Sequence, residues 1–196
     1  MPHGGHKFDP AHRAHLDAPE RREYLDPERI LDAFAVGPGL RLADVGAGTG
    51  FFALPAARRV GRSGRVYAID LTEAMLEELR SRAPTAAGNL EVVPSTEDRI
   101  PLPDRSVDVA FLACVLHELD GPGTLRECAR ILAPGGRLAI VDWVKKDQDI
   151  GPPREHRLSE SEAAAVLGAA GFRVARTFPA GPHHYGIEAR PAPRRT

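Results

Sequence analysis

Lysine is nearly missing from this chain. Of 26 basic residues only Lys7, Lys145 and Lys146 are lysine, so none falls between residues 8 and 144. That gap excludes a Walker-type phosphate loop, whose glycines must run into Lys-Ser/Thr. The arginines that take lysine's place accompany an excess of Ala, Gly and Pro and read as genome composition, not as function. Cysteine is also scarce. Cys114 and Cys128 are too few for a disulfide framework and suit a reducing compartment. Charge of one sign is absent too: the formal balance is −1, which gives no general attraction to nucleic acid or an anionic membrane. The longest uncharged apolar run, Val109–Leu116, is far short of the ~18 residues of a membrane span. The opening residues, MPHGGHKFDPAHRAH, lack the apolar stretch of a secretory signal. A length of 196 residues fits one domain. These features predict a soluble, cytoplasmic, single-domain protein.

What the chain does have is an alternation of β-favouring and helical runs. Arg41–Gly46, Arg65–Asp70, Leu90–Ser95, Val107–Ala113 and Arg137–Val144 read as strands. Val107–Ala113 is apolar after Asp108, as expected for a strand covered on both faces. Helical patterns follow the first, second and fourth of these. Thr72 is an expected N-cap for a helix burying Met75, Leu76, Leu79 and Ala83. Leu125, Cys128, Ala129 and Leu132 form one apolar stripe, which Pro134-Gly135-Gly136 should end. Ser159 and Glu162 predict a capping box for a helix burying Ala163, Val166, Leu167 and Ala170. Arg173–Phe178 and Tyr185–Arg190 read as a hairpin around Ala180-Gly181-Pro182. Asp9-Pro10 and Asp26-Pro27 are capped helix starts ahead of the first strand. The pattern predicts a mostly parallel, two-sided α/β sheet. Residues 1–26 are expected to form a His-rich helical cover, 27–191 the domain and 192–196 a tail.

The informative stretch is Leu42-Ala43-Asp44-Val45-Gly46-Ala47-Gly48-Thr49-Gly50. A strand that runs into glycines and then a helix lets backbone approach a ligand and aims helix N–H groups at it. The dinucleotide fingerprint G-x-G-x-x-G is not met, because its third glycine position holds Phe51 and the third glycine is Gly50. Asp70 ends the second strand 20 residues later, where an acidic side chain accepts hydrogen bonds from ribose hydroxyls. Leu71 is placed to touch an adenine face, and Ser95-Thr96-Glu97-Asp98 to reach its amine. No site for a pyrophosphate is visible, so the expected ligand is a nucleoside.

In these motifs the chain resembles the class I S-adenosylmethionine-dependent methyltransferases, in the group that includes quinone-biosynthesis and other small-molecule enzymes. Asp44-x-Gly46-x-Gly48-x-Gly50, Asp70, and Ile100-Pro101-Leu102-Pro103-Asp104-x-Ser106-Val107-Asp108 carry the likeness. Leu116-His117-Glu118-Leu119 and Leu132-x-Pro134-Gly135-Gly136-x-Leu138 extend it over roughly residues 27–190. The resemblance implies a Rossmann-like, doubly wound, seven-stranded sheet with an antiparallel last strand and helices on both faces. It implies S-adenosylmethionine as cofactor. Gly46, Ala47 and Gly48 would line its nucleoside and methionine portion, with Asp44 supporting the loop or reaching the amino group through water. Asp70 would hold the ribose, Leu71 pack on the adenine, Thr96 and Glu97 edge it, and Ala113 lie by the methionine part. Pro55 departs from the pattern, since an interior proline would clash; the helix after the glycines should start near Phe52 or kink.

Methyl transfer from a sulfonium needs alignment and exclusion of water, and no fixed triad. Candidates for the acceptor side lie at the carboxyl ends of strands: His117, Asp142, Trp143 and His156. His117 is either a general base or a histidine that packs near the cofactor. No metal is expected. His117-Glu118 lacks the second histidine of H-E-x-x-H, and the His3, His6, His12, His15 and His183-His184 groups read as solvated or lid residues. An Asn/Asp-Pro-Pro-Phe/Tyr motif for methylating bases is absent, and two cysteines argue against an arsenite acceptor. A small-molecule acceptor is therefore expected, with no nucleic acid and no membrane partner. A noncatalytic protein of the same fold and a nicotinamide oxidoreductase are the alternatives at this stage.

Overall fold

The computed structural model describes residues 20–83 and 88–193. Two short helices come first, α1 (Arg21–Tyr24) and α2 (Pro27–Ala33). Asp26 caps α2 by accepting the Glu28 N–H, with Pro27 at the first helical position, where a missing N–H costs nothing. The Asp9-Pro10 signal lies outside the described residues. The chain then alternates: β1 (Arg41–Val45), α3 (Ala53–Val60), β2 (Arg65–Asp70), α4 (Glu73–Arg82), β3 (Leu90–Pro94) and β4 (Val107–Ala113). α5 (Gly123–Ile131), β5 (Leu132–Trp143), α6 (Glu160–Ala169), β6 (Phe172–Pro179) and β7 (His184–Pro191) complete it.

These strands form one seven-stranded sheet in the order β3-β2-β1-β4-β5-β7-β6. The first five are parallel, and β7 lies antiparallel between β5 and β6. The sheet matches the expected Rossmann-like arrangement. One apolar core fills the face under α2 and α3, with Phe34, Phe52, Val60 and Phe111 fully or almost fully buried. A second, under α5 and α6, takes Leu125, Cys128, Ile131 and Leu167. The central strands β1 and β4 are buried on both faces, as parallel strands covered by helices must be. At the amino edge, Arg41 donates from its backbone N–H and guanidinium to Asp108, tying the start of β1 to the start of β4.

Several local expectations need adjustment. α5 stops at Ile131, and Leu132 already pairs with Val107, so the Pro134-Gly135-Gly136 turn lies within an irregular entry to β5. Leu132 is thus a strand residue and not the last of the helical stripe. Val166 faces outward on α6, while Ala163, Leu167 and Ala170 are buried. Thr72 sits at the N-cap of α4, yet its side chain makes no capping bond. The Ser159–Glu162 capping box forms as expected. α3 begins at Ala53, which puts Pro55 in the first turn, where no N–H is owed to the helix.

Phe111 on β4 is the centre of the first core, with ring centroids 5.0 Å from Phe52 and 5.9 Å from Phe34. Phe111→Ala should cost ~3–5 kcal/mol of stability in urea unfolding. A loss below ~1 kcal/mol would show that this face is not tightly packed.

Candidate functional site

The carboxyl ends of β1, β2, β3, β4 and β5 and the start of β7 lie along one edge of the sheet. Asp44, Asp70, Ala113, Asp142 and Trp143 lie at or next to the carboxyl ends of β1, β2, β4 and β5. β1 leads into the glycine turn, where Gly46, Gly48 and Gly50 all have positive φ. At Gly46 a Cβ would run into the Val115 side chain, so the turn approaches the β4 loop closely. The Gly46 and Ala47 N–H groups both donate to the Ile69 carbonyl, which folds the turn onto the end of β2.

Asp70 completes that arrangement. Its Oδ2 accepts the Gly48 N–H and its Oδ1 the Thr72 N–H, both near 2.9 Å. The second bond fixes the N-cap residue Thr72 at the entry to α4. Leu71 follows with 51% of its surface exposed, although it is a large apolar residue. The Ser95 N–H donates to the Asp70 carbonyl, and Thr96 pairs with Arg99 across a tight turn. Thr96 and Glu97 are exposed beside Asp70. Asp98 turns away from them. Its carboxyl fills the space above Gly123 at the start of α5. A surface groove of about 600 Å³ along Ile100–Pro103 has its Arg130 already held by Glu127 and Asp104.

Asp44 is 1% exposed, and its Oδ2 has no hydrogen-bond partner. Burial, and then the neighbouring Asp70, push its carboxyl up to about 7, against the Ala53 N–H and Arg21, which pull it down. A buried, half-satisfied carboxylate beside a second carboxylate is a place for a cation. Arg21 was not anticipated. It projects from α1 with its guanidinium 4.2 Å from the Phe51 ring centroid and near enough to the Cys114 thiol to act on it electrostatically. It thereby links the segment before α2 to the glycine turn and to the end of β4. Among so many arginines, nothing in the sequence singles it out.

Beyond Ala113, Cys114 takes positive φ and the chain enters a 3-10 turn, Leu116–Glu118. Burial pushes the Cys114 thiol up to about 12, which disfavours its thiolate form. His117 folds back onto Asp142, with Nδ1 2.7 Å from Oδ1 and both side chains almost fully buried. On the other face Trp143 packs 4.1 Å from His184, and Tyr24 of α1 lies parallel to the same imidazole. His184 has no partner for either ring nitrogen, and burial pushes its pKa down to about 3, so it stays neutral. The sequence set aside a metal role for the His183-His184 pair, and a buried His184 was not foreseen. No metal-binding group of His, Cys, Asp or Glu forms among the described residues. His3, His6, His12 and His15 lie outside them. His156 is on a separate 3-10 turn, Arg154–His156, beyond β5.

Asp44 also makes a pH-dependent contribution to stability. Its folded-state value is raised, so the folded chain holds this proton more tightly than the unfolded one. Stability should therefore fall as pH rises from about 4 to about 7, by at most ~1.4 kcal/mol per pH unit from this group. Asp44→Asn should remove that slope in urea unfolding measured across the range. An unchanged slope would mean that Asp44 ionises freely in the folded chain.

Comparison with known proteins gives this geometry a family. A methyltransferase domain model matches residues 43–140, half of the chain. A S-adenosylmethionine-dependent methyltransferase of known structure from Aquifex aeolicus is 40% identical. It superimposes with a TM-score of 0.89 over 93% of this chain and 98% of that one. An uncharacterized methyltransferase of Mycobacterium tuberculosis is 36% identical over 140 residues, 71% of this chain and 54% of its own. A ubiquinone/menaquinone biosynthesis C-methyltransferase of Idiomarina loihiensis is 33% identical over 120 residues, 59% of this chain and 47% of its own. This chain thus spans about half the length of the curated relatives it matches. The chain belongs to the class I S-adenosylmethionine-dependent methyltransferases.

Proposed function

We propose that this enzyme methylates a small-molecule acceptor, with the cofactor held along the carboxyl edge of β1–β4 and the acceptor over β4, β5 and β7. The carrying observation is the juxtaposition of the orphaned Asp44 Oδ2 with the exposed Leu71 beside Asp70. These residues fit S-adenosylmethionine. Asp44 and Asp70 offer carboxylates to its ammonium and ribose hydroxyls, and Leu71 offers an apolar face to its adenine, edged by Thr96 and Glu97. Gly46, Ala47, Gly48 and Ala113 line the nucleoside and methionine portions. Arg21, close to Asp44 and Cys114, supplies a positive charge for a carboxylate.

When bound, the cofactor supplies a methyl group already activated on a sulfonium. The chain's own task is then to align an acceptor, keep water out and accept a proton where the acceptor carries one. Tyr24, Trp143 and His184 give the acceptor side aromatic, uncharged walls, which suit a small planar molecule. His117 is the proposed base. Similarity to C-methyltransferases of ubiquinone/menaquinone biosynthesis supports an acceptor of comparable size. The net charge of −1 argues against a nucleic acid partner.

Calorimetric titration should show S-adenosylmethionine and S-adenosylhomocysteine binding, with NADH giving no heat. Asp70→Ala should weaken both by ~1–3 kcal/mol, the range for hydrogen bonds to a charged group. His117→Ala should leave both affinities within a few-fold while lowering methyl transfer to a panel of phenols, amines and thiols. Unchanged cofactor affinity in folded Asp70→Ala would remove Asp70 from the site.

A further inference from the structure

We propose that Asp142 is a positioning residue that fixes His117 as a base through Nε2, and that the acceptor is therefore a weakly acidic hydroxyl, a phenol or enol. This rests on the placement of the acceptor proposed above and adds its chemical class. The Asp142 carboxylate gathers three donors. Oδ1 lies 2.7 Å from His117 Nδ1 and accepts the Trp143 N–H at 2.8 Å, while Oδ2 accepts the His117 N–H at 3.1 Å. With two backbone N–H groups already on it, the carboxylate serves as acceptor, so the hydrogen between it and the imidazole belongs to Nδ1. That choice fixes the tautomer and leaves the lone pair on Nε2.

The imidazole's surroundings suit a proton acceptor more than a simple latch. The backbone N–H of His117 alone would tie the 3-10 turn to β5, and an apolar side chain would fill the same buried space. Instead the ring is flanked by two carboxylates, Asp142 on one side and Glu118 Oε1 3.7 Å from Nε2 on the other. The charges that bear on it are Asp142 from β5, Glu118 from its own turn and Arg157 from the loop before α6. Burial pulls the imidazole down, but Asp142 and then Glu118 more than offset it, with Arg157 opposing, and the net direction is upward. Asp142 and Glu118 both act on the Cys114 thiol, which places the pair beside the mouth of β4.

The step balances without any further reagent. The acceptor oxygen gives its O–H proton to Nε2 and its electron pair to the methyl carbon. The carbon–sulfur bond breaks, its pair stays on sulfur, and the products are a methyl ether and a neutral thioether. The imidazolium, held between Asp142 and Glu118, then returns its proton to solvent. A neutral amine acceptor attacks through its free lone pair and needs no such base, which is why the pair points to a hydroxyl.

The test has two arms. Long-range 1H–15N spectra of the cofactor-free chain, with His117 assigned by its loss in His117→Gln, should show the neutral ring protonated at Nδ1. Asp142→Asn should lower its titration midpoint by about one pH unit or more, the effect of removing an adjacent opposite charge. The second arm uses 4-nitrophenol, whose absorbance reports ionisation, added to the chain saturated with S-adenosylhomocysteine. The bound probe should be ionised at pH 6 in the wild type and protonated in His117→Gln. In Asp142→Asn its ionisation should move up by about one pH unit. A role limited to tying the turn to β5 would leave the probe's ionisation the same in all three proteins. That result, a probe bound protonated in the wild type, or no saturable binding overturns the proposal. Calorimetry on the same samples separates the two readings. Retained S-adenosylhomocysteine binding with no bound phenolate rejects the base, whereas loss of that binding in the wild type rejects the cofactor site itself.

Discussion

The Asp70 carboxylate holds the site together. By accepting N–H groups from Gly48 on one side and Thr72 on the other, it joins the glycine turn after β1 to the start of α4. The Gly46 and Ala47 bonds to the Ile69 carbonyl reinforce the same junction. Phe51, just past the turn, then offers its ring to Arg21, and through it α1 is drawn over the sheet edge. The carbonyl of Asp70 anchors Ser95, which sets Thr96 and Glu97 beside it. The end of β2 thus gathers the glycine turn and the start of α4 through the Asp70 side chain, and the turn after β3 through its backbone carbonyl.

Charge at this edge is arranged unevenly. Asp142 is matched by His117 and by two backbone donors, whereas Asp44 retains an unpaired oxygen next to Asp70. Such a group costs stability in the free chain and gains a partner only when a cation arrives. His184 and Tyr185 add unpartnered buried polar atoms at the head of β7. Burial first, and Asp142 next, push the Tyr185 phenol upward, so it stays protonated and able to donate. Unsatisfied polar groups are rare in protein interiors. Their gathering at the carboxyl edge, among otherwise apolar strands, supports the placement of the proposed site there.

The sheet and the glycine turn were legible because their constraints are local. Glycines at positive φ, the acidic residue after β2 and the capping box at Ser159 each leave a fixed trace in sequence. The end of α5 was misread because Leu132 continues the helical stripe by spacing, yet its backbone is claimed by Val107 across the sheet. Arg21, Tyr24 and His184 were not legible at all. Their roles come from long-range packing, which brings α1 against β5 and β7, and no spacing rule records that contact. His117 and Asp142 were each visible at a strand end. Only the parallel register of β4 and β5 reveals that they form a pair.

Hydrogen–deuterium exchange with and without S-adenosylhomocysteine tests the central claim most directly, since it reads the whole edge without an acceptor. Amides of residues 46–50, 70–72 and 95–97 should slow together on binding, because all three segments meet at Asp70. Protection confined to Ile100–Pro103 and α5, or none along β1 and β2, would contradict that placement of the cofactor.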